Sequence, residues 1–367
     1  MKTTLGAVAH ECRNTWNGDK TGVPVVGLEH LEPGEVILSS WEIDSDNTFT
    51  KKFTKGQVLL GRRRVYLRKA VLAPVDGICS GDITVIEANP DKLLPELLPF
   101  IIQNDAFFNF AMKGSAGSLS PRVKWEHLKD YEISLPTLAE QRKLADRLWA
   151  AYHLKESYKR LLAATDEMVK SQFIEMFGTK EYPTKAWGDL FETKLGKMLD
   201  KNKQNSNDHT CSYLANINVQ WGCFDMRELN QMTFTDSELD KFALKEGDLL
   251  ICEGGEAGRC AVWKLNDSKI KFQKAIHRAR SKTSEISVYY AQYYLHYAKE
   301  ANLLSDYITK GTIEHLTGQK LNTIPIPLPP MSLQQQFVSI TEQADKSKFE
   351  LREAIKRIDD VMKALMN

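Results

Sequence analysis

The chain has 367 residues, of which 42% are hydrophobic and 26% charged, and a formal net charge of +1 at pH 7. These values are typical of a globular protein with room for two domains, and they exclude a chain that is basic throughout. No apolar run approaches the about 18 residues that span a bilayer, and the N-terminus has too short an apolar stretch for a signal peptide. We therefore expect a cytoplasmic protein with no membrane segment.

The six cysteines predict neither disulfides nor a metal centre. None lies in a C-x-x-C pair, and none has zinc-ligand spacing with a histidine. We expect reduced, mostly buried thiols and no metal.

Positive charge is concentrated in one stretch of each half of the chain. Residues 47–75 contain eight Lys or Arg and no acidic residue, and residues 257–282 contain eight Lys or Arg and one acidic residue, Asp267. Each stretch is either a solvated face or a surface that meets a phosphate backbone. The recurrence at matching places favours the second interpretation.

Residues 1–136 are predicted to form a first domain rich in strands. Strand-like segments lie at Val58–Leu60 and Ile83–Ile86, and a basic loop follows the first of them at Gly61–Arg64. Residues 93–112 are more helical, and a Gly- and Ser-rich loop covers residues 113–125.

Residues 137–178 are predicted to form a long helix between the domains. Residues 138–177 contain no Gly or Pro, and apolar residues recur there at helical spacing, including Leu154, Leu161 or Leu162, and Val169. Such a helix is about 60 Å long, longer than a small domain is wide, so it needs a partner. Residues 331–367 supply one, because their apolar and small residues alternate at steps of three and four.

Residues 179–330 are predicted to form a second domain that repeats the first. Gly56 and Gly247 lie 191 residues apart, each before an apolar strand, and residues 133–142 match residues 326–335 at an offset of 193. An offset near half the chain that holds across turn, strand, loop and helix start indicates an internal duplication.

Four stretches give the duplicated chain a resemblance to the specificity subunit of type I restriction–modification systems. They cover residues 58–86, 117–145, 272–280 and 312–336. The L-P-x-x-x-E-Q pattern at Leu135–Gln141 is the most specific signal; the second copy departs from it, with Leu333-Gln334-Gln335 at its end. The fold implied is α+β: two duplicated target-recognition domains of mixed strands and short helices, joined by two long antiparallel coiled-coil helices that act as a spacer.

The resemblance implies a DNA-recognition subunit, not an enzyme. It would read a bipartite asymmetric target in double-stranded DNA and direct adenine methylation and restriction by its partners. These would be two methyltransferase subunits, which would bind the S-adenosylmethionine, and a motor-nuclease subunit in some complexes; the chain itself would need no cofactor. The sequence is consistent with a subunit that is not an enzyme. It contains neither the G-x-x-x-x-G-K-[ST] motif of a motor nor the Asn-Pro-Pro-aromatic motif of an adenine methyltransferase. The alternative is a coiled-coil adaptor that assembles proteins through two globular domains without binding DNA.

Candidate DNA contacts are side chains that can reach base edges or phosphates. Arginine pairs with guanine and Gln with adenine in the major groove, and Lys, Ser and Thr suit phosphates. In the first domain the candidates are Arg62, Arg63, Arg64, Tyr66, Arg68, Lys69, Lys113, Ser115, Ser118 and Arg122. In the second domain they are Arg259, Gln273, Lys274, His277, Arg278, Lys310, Thr312 and Thr317. For docking of the methyltransferase we expect an outward basic face on the central helix: Arg142, Lys143, Arg147, Lys155 and Lys159.

Overall fold

The computed structural model describes residues 2–115, 120–178, 180–198, 209–266, 269–309, 311 and 314–366. Contacts divide the chain into unit 1, Met1–Leu161 with Glu350–Asn367, and unit 2, Leu162–Phe349. Both long helices contribute residues to both units. Within the described part of the chain, no helix combines the length and apolar character that crossing a membrane requires.

Unit 1 combines short strands with a few helices, one of them the first part of a long helix. Its strands are β1 Lys2–Thr4, β2 Ala9–Cys12, β3 Pro24–Val26, β4 Glu42–Ile43, β5 Lys51–Phe53, β6 Val58–Gly61, β7 Ala70–Leu72, β8 Gly77–Cys79, β9 Ile83–Ala88 and β10 Glu132–Ser134. Its helices are α1 Leu5–Val8, α2 Leu98–Gln103, α3 Asp105–Lys113, α4 Trp125–Leu128 and the first part of α5 Leu138–Phe173. A 3-10 turn lies at Val65–Leu67.

Unit 2 has the same mixture of elements. Its strands are β11 Thr184–Ala186, β12 Phe191–Leu195, β13 His209–Leu214, β14 Val219–Gln220, β15 Cys223–Phe224, β16 Asn230–Phe234, β17 Leu249–Cys252, β18 Gly254–Gly255, β19 Cys260–Val262, β20 Lys271–Phe272, β21 Ile276–Ser281, β22 Glu314–His315 and β23 Pro325–Pro327. Its helices are α6 Trp187–Leu190, α7 Asp236–Lys241, α8 Val288–Glu300, α9 Gly318–Leu321 and the first part of α10 Met331–Met366. A π-helical segment, Ile174–Gly178, follows α5, and a 3-10 turn lies at Asn216–Asn218.

The strand order confirms the internal duplication. The main sheet of unit 1 has the order β2-β9-β6-β7, and that of unit 2 has the equivalent order β12-β21-β17-β19. In each unit a second sheet contains one parallel pair, β3 with β8 and β13 with β20. In each unit a short antiparallel pair, β1 with β10 or β11 with β23, closes the domain before the long helix starts.

The apolar strands at equivalent positions form the centre of each main sheet. Every residue of β6 and of β17 is buried. Alternate side chains enter different core clusters: Val58 and Leu60 enter one, and Leu59 enters the other. A strand that is covered on both faces needs a continuous apolar run, which is the pattern found in the sequence. The preceding turns match too, with Gly56 at φ +89° and Gly247 at φ +86°, a backbone that favours glycine.

The two long helices pack antiparallel within each unit. In unit 1 the first part of α5 lies beside the last turns of α10, and Lys155 pairs with Asp359 at 2.6 Å. In unit 2 the last part of α5 lies beside the first part of α10, where Phe173 contacts Phe337 with ring centroids 5.3 Å apart. The predicted inward position Leu154 is instead 45% exposed, because Lys155 occupies the inward face.

A buried glutamine ties each long helix to its domain. Gln141 is 1% exposed; its amide donates to the carbonyls of Lys92 and Pro136 and accepts from the N–H of Leu94, all at 3.0–3.1 Å. Gln334 is 0% exposed and makes the same three bonds in unit 2. The sequence match at an offset of 193 therefore corresponds to one structural contact made twice.

Candidate nucleic-acid interface

The first candidate surface begins where β6 ends, and we call it edge 1: Arg62–Arg64 with residues 120–123. The Arg62 N–H donates to the Asp82 carbonyl at 2.9 Å, and the Val123 N–H donates to the Arg62 carbonyl at 3.0 Å. The Arg64 N–H donates to the Pro121 carbonyl at 2.8 Å. These bonds hold the three successive arginines beside the Gly- and Ser-rich loop.

Unit 2 builds the same backbone arrangement at edge 2, which is Glu253–Gly255 with residues 314–316. The Glu253 N–H donates to the Ala275 carbonyl at 2.9 Å, and the Leu316 N–H donates to the Glu253 carbonyl at 2.7 Å. Gly254 pairs with His315 as Arg63 pairs with Arg122 in edge 1. The left-handed backbone recurs as well, at Arg64 (φ 52°) and Gly255 (φ 79°).

Two arginines of edge 1 share one carboxylate. Arg122 binds Asp82 through two bonds, of 2.7 and 3.2 Å, and Arg63 Nη1 lies 3.7 Å from the same carboxylate. The hydrogen bonds from Arg122 hold the pKa of Asp82 below its usual range. The carboxylate of Asp82 thus orients the side chains of Arg63 and Arg122, and edge 1 keeps a net positive charge.

A cleft of about 480 Å³ opens beside edge 1. Its lining includes four basic side chains, Arg13, Lys51, Arg62 and Lys124, and two acidic ones, Glu11 and Glu126. Arg13 pairs with both carboxylates, and Lys51 Nζ lies 3.6 Å from Glu11. The Arg62 Nε atom is buried and has no hydrogen-bond partner among the described residues. Arg13 and Lys124 were not among the sequence candidates, because nothing in the linear pattern places them next to Arg62.

Three candidate basic residues are engaged with the protein itself. Lys69 Nζ donates to the Leu28 carbonyl at 2.7 Å, and Arg259 donates to the Asn216 carbonyl at 2.9 Å at the equivalent place in unit 2. Arg68 forms an ion pair with Asp105 on α3. Lys69 and Arg259 thus support loops of their own units, whereas the Arg68 side chain is 41% exposed at its ion pair.

His277 and Arg278 lie inside unit 2, only 1% and 4% exposed. They are on β21, which lies between β12 and β17 and is therefore not an edge strand. His277 Nε2 is 3.1 Å from the Leu316 carbonyl, and Arg278 Nη1 donates to the Ala243 carbonyl at 2.9 Å. Burial lowers the pKa of His277. Neither side chain faces solvent in this structure.

The remaining candidates differ in exposure. Tyr66 is 52% exposed, and Lys113 and Lys274 are exposed. Ser115 and Gln273 are half-buried, and Thr317 is an exposed N-cap whose side chain accepts from the Lys320 N–H. Three further candidates lie outside the described residues: Ser118, Lys310 and Thr312.

The expected docking face of α5 is only partly an outward face. Arg142, Lys143 and Arg147 are exposed, and Arg142 pairs with Glu96 at 2.9 Å. The prediction that Lys155 and Lys159 face outward is wrong. Lys155 points toward α10, and Lys159 is bound by Glu35 and Glu156.

The duplicated α+β domains with two long helices define a fold that is found in solved type I restriction–modification proteins. One such chain, from a structure of complex assembly and conformational transition of the type I R-M system, aligns with a TM-score of 0.61 and 20% identity over 100% of this chain and 96% of its own. The S subunit of a type I restriction–modification system from M. genitalium aligns with a TM-score of 0.59 and 14% identity, over 100% and 96%.

Sequence comparison assigns the family. The profile described as "Type I restriction modification DNA specificity domain" matches residues 12–163 and 179–358. The chain belongs to this family. A curated relative, the type I restriction enzyme EcoDI specificity subunit of Escherichia coli, is 27% identical over 97 residues, which are 26% of this chain and 21% of that protein. The match thus spans about one fifth of that relative's length. Both this relative and the M. genitalium protein are described as specificity (S) subunits, not as catalytic ones.

Proposed function

We propose that this chain reads a bipartite, asymmetric sequence in double-stranded DNA, with one half-site for each unit. The main support for the proposal comes from comparing edge 1 with edge 2. Their backbone pairing is the same, while Arg62, Arg63 and Arg122 are replaced by Glu253, Gly254 and His315. A framework that is kept while the residues placed on it differ suits two readers of different base sequences.

The chemistry of the two edges favours different bases. Arginine is the common bidentate partner of guanine, whereas a carboxylate accepts from the cytosine amino group. Edge 1 presents arginines that Asp82 holds in place, and the cleft beside it offers Arg62 and Lys124 as further cations for phosphates. Edge 2 offers Glu253, and exposed Lys274 directly precedes Ala275, whose carbonyl accepts from the Glu253 N–H.

The partners follow from the same proposal. A DNA-recognition subunit requires partner subunits for chemistry, and we infer two methyltransferase subunits that carry S-adenosylmethionine and methylate adenine, with a motor-nuclease subunit joining in some complexes. The exposed side chains of Arg142, Lys143 and Arg147 remain our candidates for docking the methyltransferase. The complex would act in the cytoplasm, and the chain itself would need no cofactor.

The decisive experiment maps methylated adenines in a genome exposed to the complex. We expect one bipartite motif, and replacing residues 179–330 with the second domain of another family member should change only one half of it. A change in both halves would refute the assignment of one half-site to each unit. No methylation, together with no DNA binding by the assembled complex, would refute the proposal as a whole.

Single substitutions test edge 1. Arg122→Ala should weaken binding and relax specificity in one half-site by about 1–3 kcal/mol, as expected for a lost bidentate contact. Arg160→Ala removes an exposed arginine on α5 and is the matched control. Binding should also weaken with salt, log K falling by about 0.9 per log unit of salt for each phosphate contacted. Equal effects of the two substitutions would exclude Arg122 from the reading surface.

A further inference from the structure

One face of the main sheet of unit 1 gathers three potential metal ligands. His10 and Cys12 lie two residues apart on β2, so their side chains share a face. Glu87 on β9 is directly opposite His10. One ligand atom from each of the three residues lies within 4.8 Å of the others.

The distances fit a tetrahedral zinc ion. Zn–S bonds of about 2.3 Å and Zn–N or Zn–O bonds of about 2.0 Å place neighbouring ligand atoms about 3.5 Å apart. Cys12 Sγ lies 3.8 Å from His10 Nε2 and 3.2 Å from Glu87 Oε2. Small side-chain movements would therefore bring the three atoms around one ion. His10 and Glu87 are exposed, so an ion can enter from solvent and a water molecule can take the fourth position.

Gln57 supplies the outer support that a metal-bound thiolate needs. Its Oε1 accepts the Thr54 N–H at 2.8 Å, which fixes the orientation of the amide. Its Nε2 must then point at Cys12 Sγ, at 3.3 Å, and at Glu87 Oε2, at 2.8 Å. A donor held against sulfur and carboxylate stabilises both as negatively charged ligands.

We propose that His10, Cys12 and Glu87 bind one divalent zinc ion, with Gln57 as the supporting residue. Without metal, the Cys12 S–H donates a hydrogen bond to Glu87 Oε2 at 3.2 Å. When zinc binds, the thiol proton is released to solvent. The hydrogen bond from Cys12 to Glu87 is then replaced by one bond from the Cys12 sulfur to zinc and one from the Glu87 carboxylate to zinc.

The duplication provides an internal comparison. The strand pairing places Glu192 and Arg280 of unit 2 where His10 and Glu87 lie in unit 1. There Arg280 is bound by Asp248, with two bonds of 2.7 Å, and fills the position with an ion pair. The full chain should accordingly take up one zinc ion in unit 1 and none at the equivalent place in unit 2.

The test uses the full chain, stripped of metal and titrated with Co²⁺ and Zn²⁺. We expect one ion per chain and a thiolate-to-cobalt charge-transfer band that Cys12→Ser abolishes. His10→Ala, on an exposed side chain, should weaken Zn²⁺ binding at least about tenfold, and Gln57→Met should weaken it about 10–100-fold. The controls Cys223→Ser and His153→Ala alter exposed residues elsewhere and should leave affinity unchanged.

Two results would overturn the proposal. One is the absence of a charge-transfer band in the unmodified chain. The other is a Zn²⁺ affinity that His10→Ala leaves unchanged, which would place the ion elsewhere. Because His10 is at the surface, a folding defect in Cys12→Ser would not prevent the second measurement.

Discussion

Gln334 offers a sharp test of how the long helices are attached to their domains. Replacement by Met keeps the length and the helix propensity of the side chain but removes its polar groups. The change leaves the Ser287 N–H and the carbonyls of Glu285 and Pro329 without the bonds of 2.8–2.9 Å that Gln334 makes. At a net value of about 1 kcal/mol for each bond, Gln334→Met should lower the free energy of unfolding by about 3 kcal/mol.

The matched control is the next residue. Gln335→Met is the same chemical change on an exposed side chain of the same helix and should alter stability by no more than about 0.5 kcal/mol. Urea unfolding followed by circular dichroism measures both variants, and hydrogen exchange of the Ser287 amide reports the lost bond directly. Equal unfolding midpoints for the two variants would show that the buried amide does not hold the helix.

Three further predictions rest on equivalent or ion-paired residues. Gln141→Met should cost about 3 kcal/mol by the same reasoning and should increase hydrogen exchange at Leu94; an unchanged rate there would contradict the equivalence of the two contacts. Arg280→Met should cost about 3–5 kcal/mol, since it leaves Asp248, which is 1% exposed, as an unpaired buried charge. Arg227→Met, at an exposed ion pair, is its control in thermal unfolding and should change little. Asp82→Asn should lose stability relative to the unmodified chain at neutral pH. Because the folded-state pKa of Asp82 is lowered, this difference should shrink as pH falls below about 4; a constant difference would show that Asp82 does not titrate as proposed.

The sequence predicted the elements that depend on local pattern. The strands at Val58–Gly61 and Leu249–Cys252 follow from apolar runs between turns. The helix starts near Leu138 and Met331 follow from repeated motifs. Fold class and family membership could be predicted because these signals recur at one offset along the chain.

Contacts between distant residues could not be predicted in the same way. The pattern of β21, with polar residues between apolar ones, resembles a half-exposed strand, yet its position inside the sheet buries His277 and Arg278. In α5 the predicted helical phase was wrong by one residue at this point. Leu154 was assigned to the inward face, which Lys155 occupies instead. The cluster at Cys12 joins two strands, β2 and β9, that are far apart in the sequence, and its spacing gives no signal for a metal.

The sharing of the long helices has a consequence for synthesis on the ribosome. Met362 and Leu365 pack against the core of unit 1, and Asn104 donates to the Met366 carbonyl at 3.5 Å. Translation must produce all of unit 2 before these residues emerge. Until then, part of the apolar surface of the nascent first unit remains exposed, including the side chains around Leu148 and Tyr152. Translation that stops at residue 349 should yield a first unit that is prone to aggregation and recognised by chaperones.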